Sequence, residues 1–317
     1  MMETGKQFYG IIPPVPTILF KEGKLDRKGM GNLIDYLIES NVNGLFFLGS
    51  GGEFSQMSAE LRKEVAEFAT SYVNGRVPVL IGTGTPGTNE TIALSLHAKK
   101  VGADGVVIVN PYYFKLTEES IFQHYCEIAE NVDLPILFYN YPELTGVDLS
   151  PELVLSLAER YPNIVGIKDT VVSVGHTREM ITTVKSKFPD FMVFSGYDDH
   201  LLNNLALGGA GSIPLTSTFA PELSVGIYQA FKQGNYGKAI ELHQKLASII
   251  RVYKLDSPFM NVVKAAIHLK GVDISTECLA PVRSATNAQI EELKKILFET
   301  TEVKYGFNYS NKEDLND

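Results

Sequence analysis

Cysteine is nearly absent: Cys126 and Cys278 are the 2 cysteines in 317 residues, too few and too far apart for a disulfide framework or a CxxC metal or redox motif. A reducing cytoplasm is the expected setting. Basic charge is also scarce, with Lys+Arg 28 against Asp+Glu 37 and a net charge of -9. Nucleic-acid phosphates are held by clustered Lys and Arg, so no nucleic-acid partner is expected. No apolar run approaches the roughly 18 residues of a membrane span, and the opening MMETGKQFYG has no apolar stretch of the signal-peptide kind. Neither membrane insertion nor secretion is expected. The histidines, His97, His124, His176, His200, His243 and His268, fall singly, without HExxH or HxH spacing. A metal site therefore has no sequence support.

What the chain does have is a hydrophobic fraction of 44% against 21% charged, which is enough to bury a large core. Short apolar runs recur at 11–15, 44–48, 77–81, 106–109, 135–139, 165–168, 192–194 and 211–215. Between them, segments such as 26–40, 58–73, 89–101, 118–131, 151–161 and 175–188 place apolar residues at helical spacing. Thr117 before Glu118, and Ser150-Pro151-Glu152, read as helix starts. Strands that are apolar on both faces and joined by helices are parallel and covered. Eight such units at even spacing predict an α/β fold of the (β/α)8 TIM-barrel type. The segments 221–233, 236–255, 258–270 and 288–301 read as helix alone, so a barrel over 1–222 is expected to carry a C-terminal helical extension over 223–317. The polar end, 308–317, is expected to fray.

Two features invite misreading. Gly82-Thr83-Gly84-Thr85-Pro86-Gly87 spells GxGxxG after a strand, but the following acid, Asp104, precedes an apolar run, whereas a ribose-binding acid ends one. A strand-to-helix turn followed by a cap at Asn89-Glu90 is the simpler reading. Asp198-Asp199-His200 lies just past the seventh run and reads first as the start of a helix, while its place at a strand's C-terminal end keeps Asp198 and Asp199 open as site residues.

Barrel enzymes build their sites at the C-terminal ends of the strands. Those ends here carry Gly49-Ser50-Gly51-Gly52-Glu53, Asn110-Pro111-Tyr112-Tyr113, Tyr139-Asn140, Lys168-Asp169-Thr170 and Gly196-Tyr197-Asp198-Asp199. Lys168 follows Ile164-Val165-Gly166-Ile167, so its ammonium is directed into an apolar barrel. Desolvation there lowers its pKa and frees an amine to attack a carbonyl. Tyr139 ends the preceding strand, where its phenol is placed to shuttle protons. Gly49 to Gly52 offers consecutive backbone N–H groups as a nest for a carboxylate, and Ser50 adds a hydroxyl.

GSGGE, NPYY, FYNYP followed by TG, GIKD and SGYDD together resemble the dihydrodipicolinate synthase and N-acetylneuraminate lyase family of pyruvate-dependent class I aldolases, in order over about residues 9 to 300. The resemblance implies that Lys168 forms the Schiff base, that Tyr139 transfers protons and that Ser50 occupies the relay position, usually threonine. It implies that the amides of Ser50 and Gly51 hold a pyruvate-type carboxylate and that the Ile213 carbonyl lies near substrate. It further implies that Tyr113 is lent across a subunit interface in a homotetramer, a dimer of dimers. No metal or cofactor is implied, because the iminium is itself the electron sink.

The departures are informative. Where the synthase carries an arginine for the second substrate's carboxylate, this chain has Leu144, which argues against aspartate semialdehyde. The lyase's small polar residues after the eighth strand are replaced by Pro214-Leu215. Thr170, Asp198, Asp199 and Thr216, with Gly196 beside them, remain as candidate substrate-binding residues suited to sugar hydroxyls. The wording is nearest to the 2-keto-3-deoxy sugar-acid aldolases. The expected reaction is reversible cleavage of a gluconate- or galactonate-type keto acid to pyruvate and an aldehyde such as glyceraldehyde. Dihydrodipicolinate synthesis, a sugar-acid dehydratase and a noncatalytic barrel are the alternatives.

Overall fold

In the computed structural model, which describes residues 8–302, the strands are all parallel and belong to one sheet: β1 (Gly10–Ile11), β2 (Pro14–Val15), β3 (Leu45–Phe47), β4 (Val79–Gly82), β5 (Gly105–Val109), β6 (Ile136–Asn140), β7 (Ile164–Asp169), β8 (Met192–Ser195) and β9 (Gly211–Ser212). β1 pairs with β9 and β2 with β3, and Ile12 and Pro13 alone separate β1 from β2. The two edges of the sheet are thus consecutive pieces of one segment, and the sheet curls into the barrel. The first strand, expected whole over 11–15, is broken because Pro13 and Pro14 have no N–H to give to a ladder. Ile12 donates to the Ser212 carbonyl and Phe46 to that of Pro13 instead. The polar stretch 308–317 lies outside the described residues.

The helices are α1 (Arg27–Glu39), α2 (Ala59–Val73), α3 (Thr88–Lys100), α4 (Glu118–Asn131), α5 (Pro142–Thr145), α6 (Pro151–Arg160), α7 (Val174–Val184), α8 (Leu201–Ala206), α9 (Pro221–Lys232), α10 (Tyr236–Ile249), α11 (Met260–Leu269) and α12 (Asn287–Glu302). Asp26, Ser58, Thr117, Ser150, Ser173 and Asn235 cap α1, α2, α4, α6, α7 and α10 by accepting from an amide of the first turn, each worth about 0.5–2 kcal/mol. The GxGxxG run is a strand-to-helix turn whose helix begins earlier than expected, with Gly87 at the cap. Asn89 and Glu90 therefore lie inside α3. Asp104 sits at the entry to β5, bonded to the Val79 amide, at the end of the barrel opposite a strand-end site.

α9 packs on β1 and α8, the place of the barrel's eighth helix, and α10 packs on α9 and α12. The expected division at 222/223 therefore falls inside α9, and one continuous apolar core runs from Phe8 to Ile296 across both parts. Burying each Ile, Leu or Phe of that core contributes about 1.5–3 kcal/mol. One tie between the barrel mouth and the extension is ionic: Lys264 of α11 meets Glu53 at 2.5 Å, with both side chains fully buried. Lys264 also donates to the Glu277 carbonyl, and Glu53 accepts from the Leu279 amide. These extra hydrogen bonds offset the desolvation that makes a bare buried pair costly.

Candidate active site

Side chains alternate between the two faces of a strand, and in β6 and β7 that alternation separates two sets of polar groups. Tyr139 and Lys168 are register partners, as are Asn140 and Asp169. The first pair points into the barrel and the second toward the helices. Lys168 is 5% exposed and Tyr139 3%. The Lys168 Nζ lies 4.1 Å from the centroid of the Tyr139 ring and 5.4 Å from that of Phe46. Burial lowers the lysine to about 7, with Asp198 pulling weakly the other way. A substantial fraction of the amine is therefore unprotonated near neutrality. Burial pushes the Tyr139 phenol up to about 12, against the pull of Ser50 and Thr170, so it rests as neutral phenol. Its oxygen is 3.2 Å from the Ser50 hydroxyl.

The loop after β3 supplies the amides. Ser50–Gly52 forms one 3-10 turn whose own hydrogen bonds use the N–H groups of Gly52 and Glu53, leaving those of Ser50 and Gly51 outside the turn. Leu48 and Glu53 flank it at φ 59 and φ 61, left-handed conformations that side chains adopt at a cost. The buried Glu53–Lys264 pair holds one side of this strained turn. A Cβ on Gly51 would stand 2.9 Å from a Leu215 methyl and 3.3 Å from the Pro14 carbonyl, so glycine is what lets the turn sit against β2.

Behind the reacting pair lies a network that sequence reasoning did not single out. Asn140 donates to both Asp169 (2.9 Å) and Asp148 (2.7 Å). His176, in the first turn of α7, reaches Asp169 through Nδ1 at 3.0 Å and Asp148 through Nε2 at 3.3 Å, and Thr177 adds a bond to Asp169. The carboxylates of Asp148 and then Asp169 raise His176 to about 10, so one imidazolium lies between two carboxylates, ion-paired with Asp148 and hydrogen-bonded to Asp169. The signal available in the sequence was positional: Asn140 and Asp169 are the immediate neighbours of Tyr139 and Lys168.

These elements open onto a cavity of about 590 Å³. Of the expected site residues, Ser50, Gly51, Tyr139, Lys168, Thr170, Gly196, Asp198 and Ile213 line it. Thr170 Oγ1 is buried there with no hydrogen-bond partner among the described residues, and a Cβ on Gly196 would collide with that oxygen, so glycine leaves room for the hydroxyl. Asp198 accepts from the Thr216 amide at 2.6 Å and the Tyr253 hydroxyl at 3.1 Å, and burial pushes its carboxyl up. Asp199 and Thr216 do not line the cavity. Tyr113 does not either; it is 88% exposed at φ 82, edge-on to Phe114. Sequence reasoning missed Tyr253, Ser257, Pro258 and Phe259, which come from the C-terminal extension and complete the wall. It also missed Tyr141, Glu143 and Tyr197 as lining residues. Among the described residues, no group of three or more His, Cys, Asp or Glu side chains is gathered that could hold a metal ion. No described helix is long and apolar enough to cross a membrane.

An amine partly unprotonated near neutral pH, a phenol against it and two amides with no partner among the described residues are the parts needed to capture a 2-keto acid as an imine. Comparison with known proteins places nearly the whole chain in a family. The sequence model of the dihydrodipicolinate synthetase family matches residues 7–300. The Escherichia coli protein YagE, provisionally named a 2-dehydro-3-deoxy-D-gluconate aldolase, is 51% identical over 290 residues, 92% of this chain and 96% of YagE. YjhH of the same organism, provisionally named a 2-dehydro-3-deoxy-D-pentonate aldolase, is 49% identical over 292 residues, 92% of this chain and 97% of its own. The crystal structure of YagE in complex with pyruvate matches with a TM-score of 0.92 at 50% identity, covering 93% of this chain and 99% of that one. Dihydrodipicolinate synthase from Thermotoga maritima matches with a TM-score of 0.88 at 34% identity, covering 94% and 100%.

Proposed function

The chain belongs to the dihydrodipicolinate synthetase family, a family of pyruvate-dependent class I aldolases, and we propose that it reversibly cleaves a 2-keto-3-deoxy sugar acid of the gluconate or galactonate type to pyruvate and an aldehyde such as glyceraldehyde. The observation that carries this reading is the Lys168 amine, buried against the Tyr139 phenol and lowered to about 7. The names given to YagE and YjhH support the sugar-acid class.

In the proposed cycle the Lys168 amine adds to the C2 ketone while the amides of Ser50 and Gly51 hold the carboxylate. The Tyr139 phenol gives its proton to the departing water, with Ser50 as relay, and an iminium remains. The phenolate then takes the C4 hydroxyl proton as the C3–C4 electron pair flows into the iminium and the aldehyde leaves. The Tyr139 phenol then gives that proton to C3 of the enamine, and water adds to the resulting iminium carbon, returning a proton to the phenolate, to release pyruvate and the lysine amine. The covalent imine serves as the electron sink, so no separate cofactor is needed. Thr170, Gly196, Asp198 and Ile213 line the same cavity and are proposed to contact the substrate.

The assembly proposed is a homotetramer, a dimer of dimers, in which Tyr113 enters the partner's site. Its exposure, beside Phe114 at 72%, supports the burial of this aromatic pair by a second copy. A reducing cytoplasm is the compartment proposed, on two cysteines that form no disulfide. The second reading, condensation of pyruvate with aspartate semialdehyde, is favoured by the name of the Thermotoga maritima relative. Against it stands Leu144, 63% exposed at the cavity wall, which offers no donor to a carboxylate.

Pyruvate release from 2-keto-3-deoxygluconate, 2-keto-3-deoxygalactonate and N-acetylneuraminate tests the proposal. Release from either of the first two supports it. Release from none of the three, with efficient condensation of pyruvate and aspartate semialdehyde, overturns it.

A further inference from the structure

The cavity wall is electrically one-sided. Beyond Lys168 itself it carries no cationic side chain among the described residues, and its two carboxylates are Asp198 and Glu143. Asp198 already accepts two hydrogen bonds from the protein. Glu143 is differently placed. It is the exposed second residue of α5, and its Oε2 accepts a 2.8 Å hydrogen bond from the Tyr197 hydroxyl. No protein donor among the described residues reaches its other oxygen.

Its position relative to the reacting groups is fixed through three aromatic rings. Tyr197 packs edge-on against Tyr141 at 6.3 Å, and Tyr141 stacks on Tyr139 at 6.0 Å. Tyr139 is the phenol beside Lys168. Glu143 therefore stands at the open end of the same aromatic wall that begins at the imine. With the keto-acid carboxylate at the glycine turn, as in the proposed cycle, this end faces the carbons of the aldehyde farthest from the bond being broken.

We infer that Glu143, held by Tyr197, selects the aldehyde fragment: its free carboxylate oxygen accepts a hydrogen bond from a distal hydroxyl, and its charge rejects aldehydes that carry a carboxylate or phosphate there. The class of aldehyde is thus neutral and polyhydroxylated. Leu144 explains a missing attraction for an anionic aldehyde, whereas Glu143 supplies a repulsion, and specificity commonly needs both kinds of element. A carboxylate also suits hydroxyl recognition, because it accepts on several lone pairs and forms hydrogen bonds stronger than neutral ones.

The inference rests on the aldolase reading, and its test separates the two. Condensation with pyruvate is measured for D-glyceraldehyde and for D-glyceraldehyde 3-phosphate, at low and high sodium chloride, with the wild type, Glu143→Gln and Tyr197→Phe. The wild type is expected to favour the neutral aldehyde in kcat/KM, and that preference weakens with salt as the repulsion is screened. Glu143→Gln keeps size and an acceptor but loses charge, so the preference should fall about tenfold, a size reasonable for one partly solvated charge, and should lose its salt dependence. Tyr197→Phe should raise KM for glyceraldehyde with a smaller change in kcat. A wild type that condenses both aldehydes with the same preference and salt dependence as Glu143→Gln overturns this inference and leaves the aldolase intact. A folded wild type that condenses neither aldehyde and forms no imine with pyruvate overturns the aldolase reading, and this inference with it.

Discussion

Tyr139 and Lys168 are register partners on adjacent parallel strands, and the lysine nitrogen lies 4.1 Å from the centre of the phenol ring. The ring face provides a cation–π contact for an ammonium, yet burial outweighs it and brings the lysine to about 7. The phenol itself stays neutral until about 12. Burial moves the two pKa values in opposite directions and so brings both residues toward the neutral state.

The first consequence is a pH dependence. Only the free amine attacks a ketone, so the rate of pyruvate imine formation should rise tenfold per pH unit below 7 and level off above it. Stopped-flow or rapid-quench trapping across pH 5 to 9 measures this. A rate still rising tenfold per unit up to pH 9, as for an amine at the ordinary lysine value of 10.5, would show that the amine is not desolvated in solution.

Lys168 should also cost stability. Its folded pKa lies below its unfolded one, so the unfolded chain holds the proton more tightly, and the penalty is full below about 7 and relieved as pH rises toward 10.5. Lys168→Met should abolish pyruvate release and raise stability by on the order of a few kcal/mol at pH 7, a gain that shrinks as pH approaches 10.5. Denaturant melts at several pH values give the comparison; a variant less stable than wild type at pH 7 would contradict it.

Tyr139→Phe keeps the ring beneath the lysine and removes the proton carrier. Turnover should fall by about 10²–10⁴-fold, the usual worth of a positioned proton donor, while borohydride still traps pyruvate on the protein. Unchanged turnover would remove Tyr139 from the proposed cycle.

His176 is predicted to stabilise the strand pair from behind. Its folded pKa, near 10, lies above the ordinary 6.5, so its contribution is whole below about 6.5 and lost as pH rises through 10. His176→Gln should therefore destabilise the protein most at low pH, by about 1–3 kcal/mol as expected for a charged hydrogen bond within a network, and the difference should close toward pH 10. A difference independent of pH would mean that the imidazolium is not what holds Asp148 and Asp169.

How much of this could be read in advance follows from how local each feature is. Lys168, Tyr139 and the glycine turn were legible because each ends an apolar run, and barrel strand ends converge on one mouth. The split of the first strand was not, although Pro13-Pro14 stood in plain view, because a proline pair says only that a ladder is interrupted. α5 and α8 have 4 and 6 residues, too few to show helical periodicity. The site residues that escaped notice share one cause. His176 reaches Asp148 and Asp169 only after β6 and β7 align, Glu143 meets Tyr197 54 positions along the chain, and Tyr253 arrives from the extension. Their pairing lies in the register and packing, where no spacing rule reaches.

The measurement that bears most directly on the account is borohydride reduction in the presence of pyruvate, followed by mass spectrometry of the digested protein. The account predicts one reduced pyruvate per chain, on the peptide carrying Lys168, and none in Lys168→Met. A folded protein that gains no adduct, or gains it on another lysine, would contradict the assignment of Lys168 as the imine-forming residue.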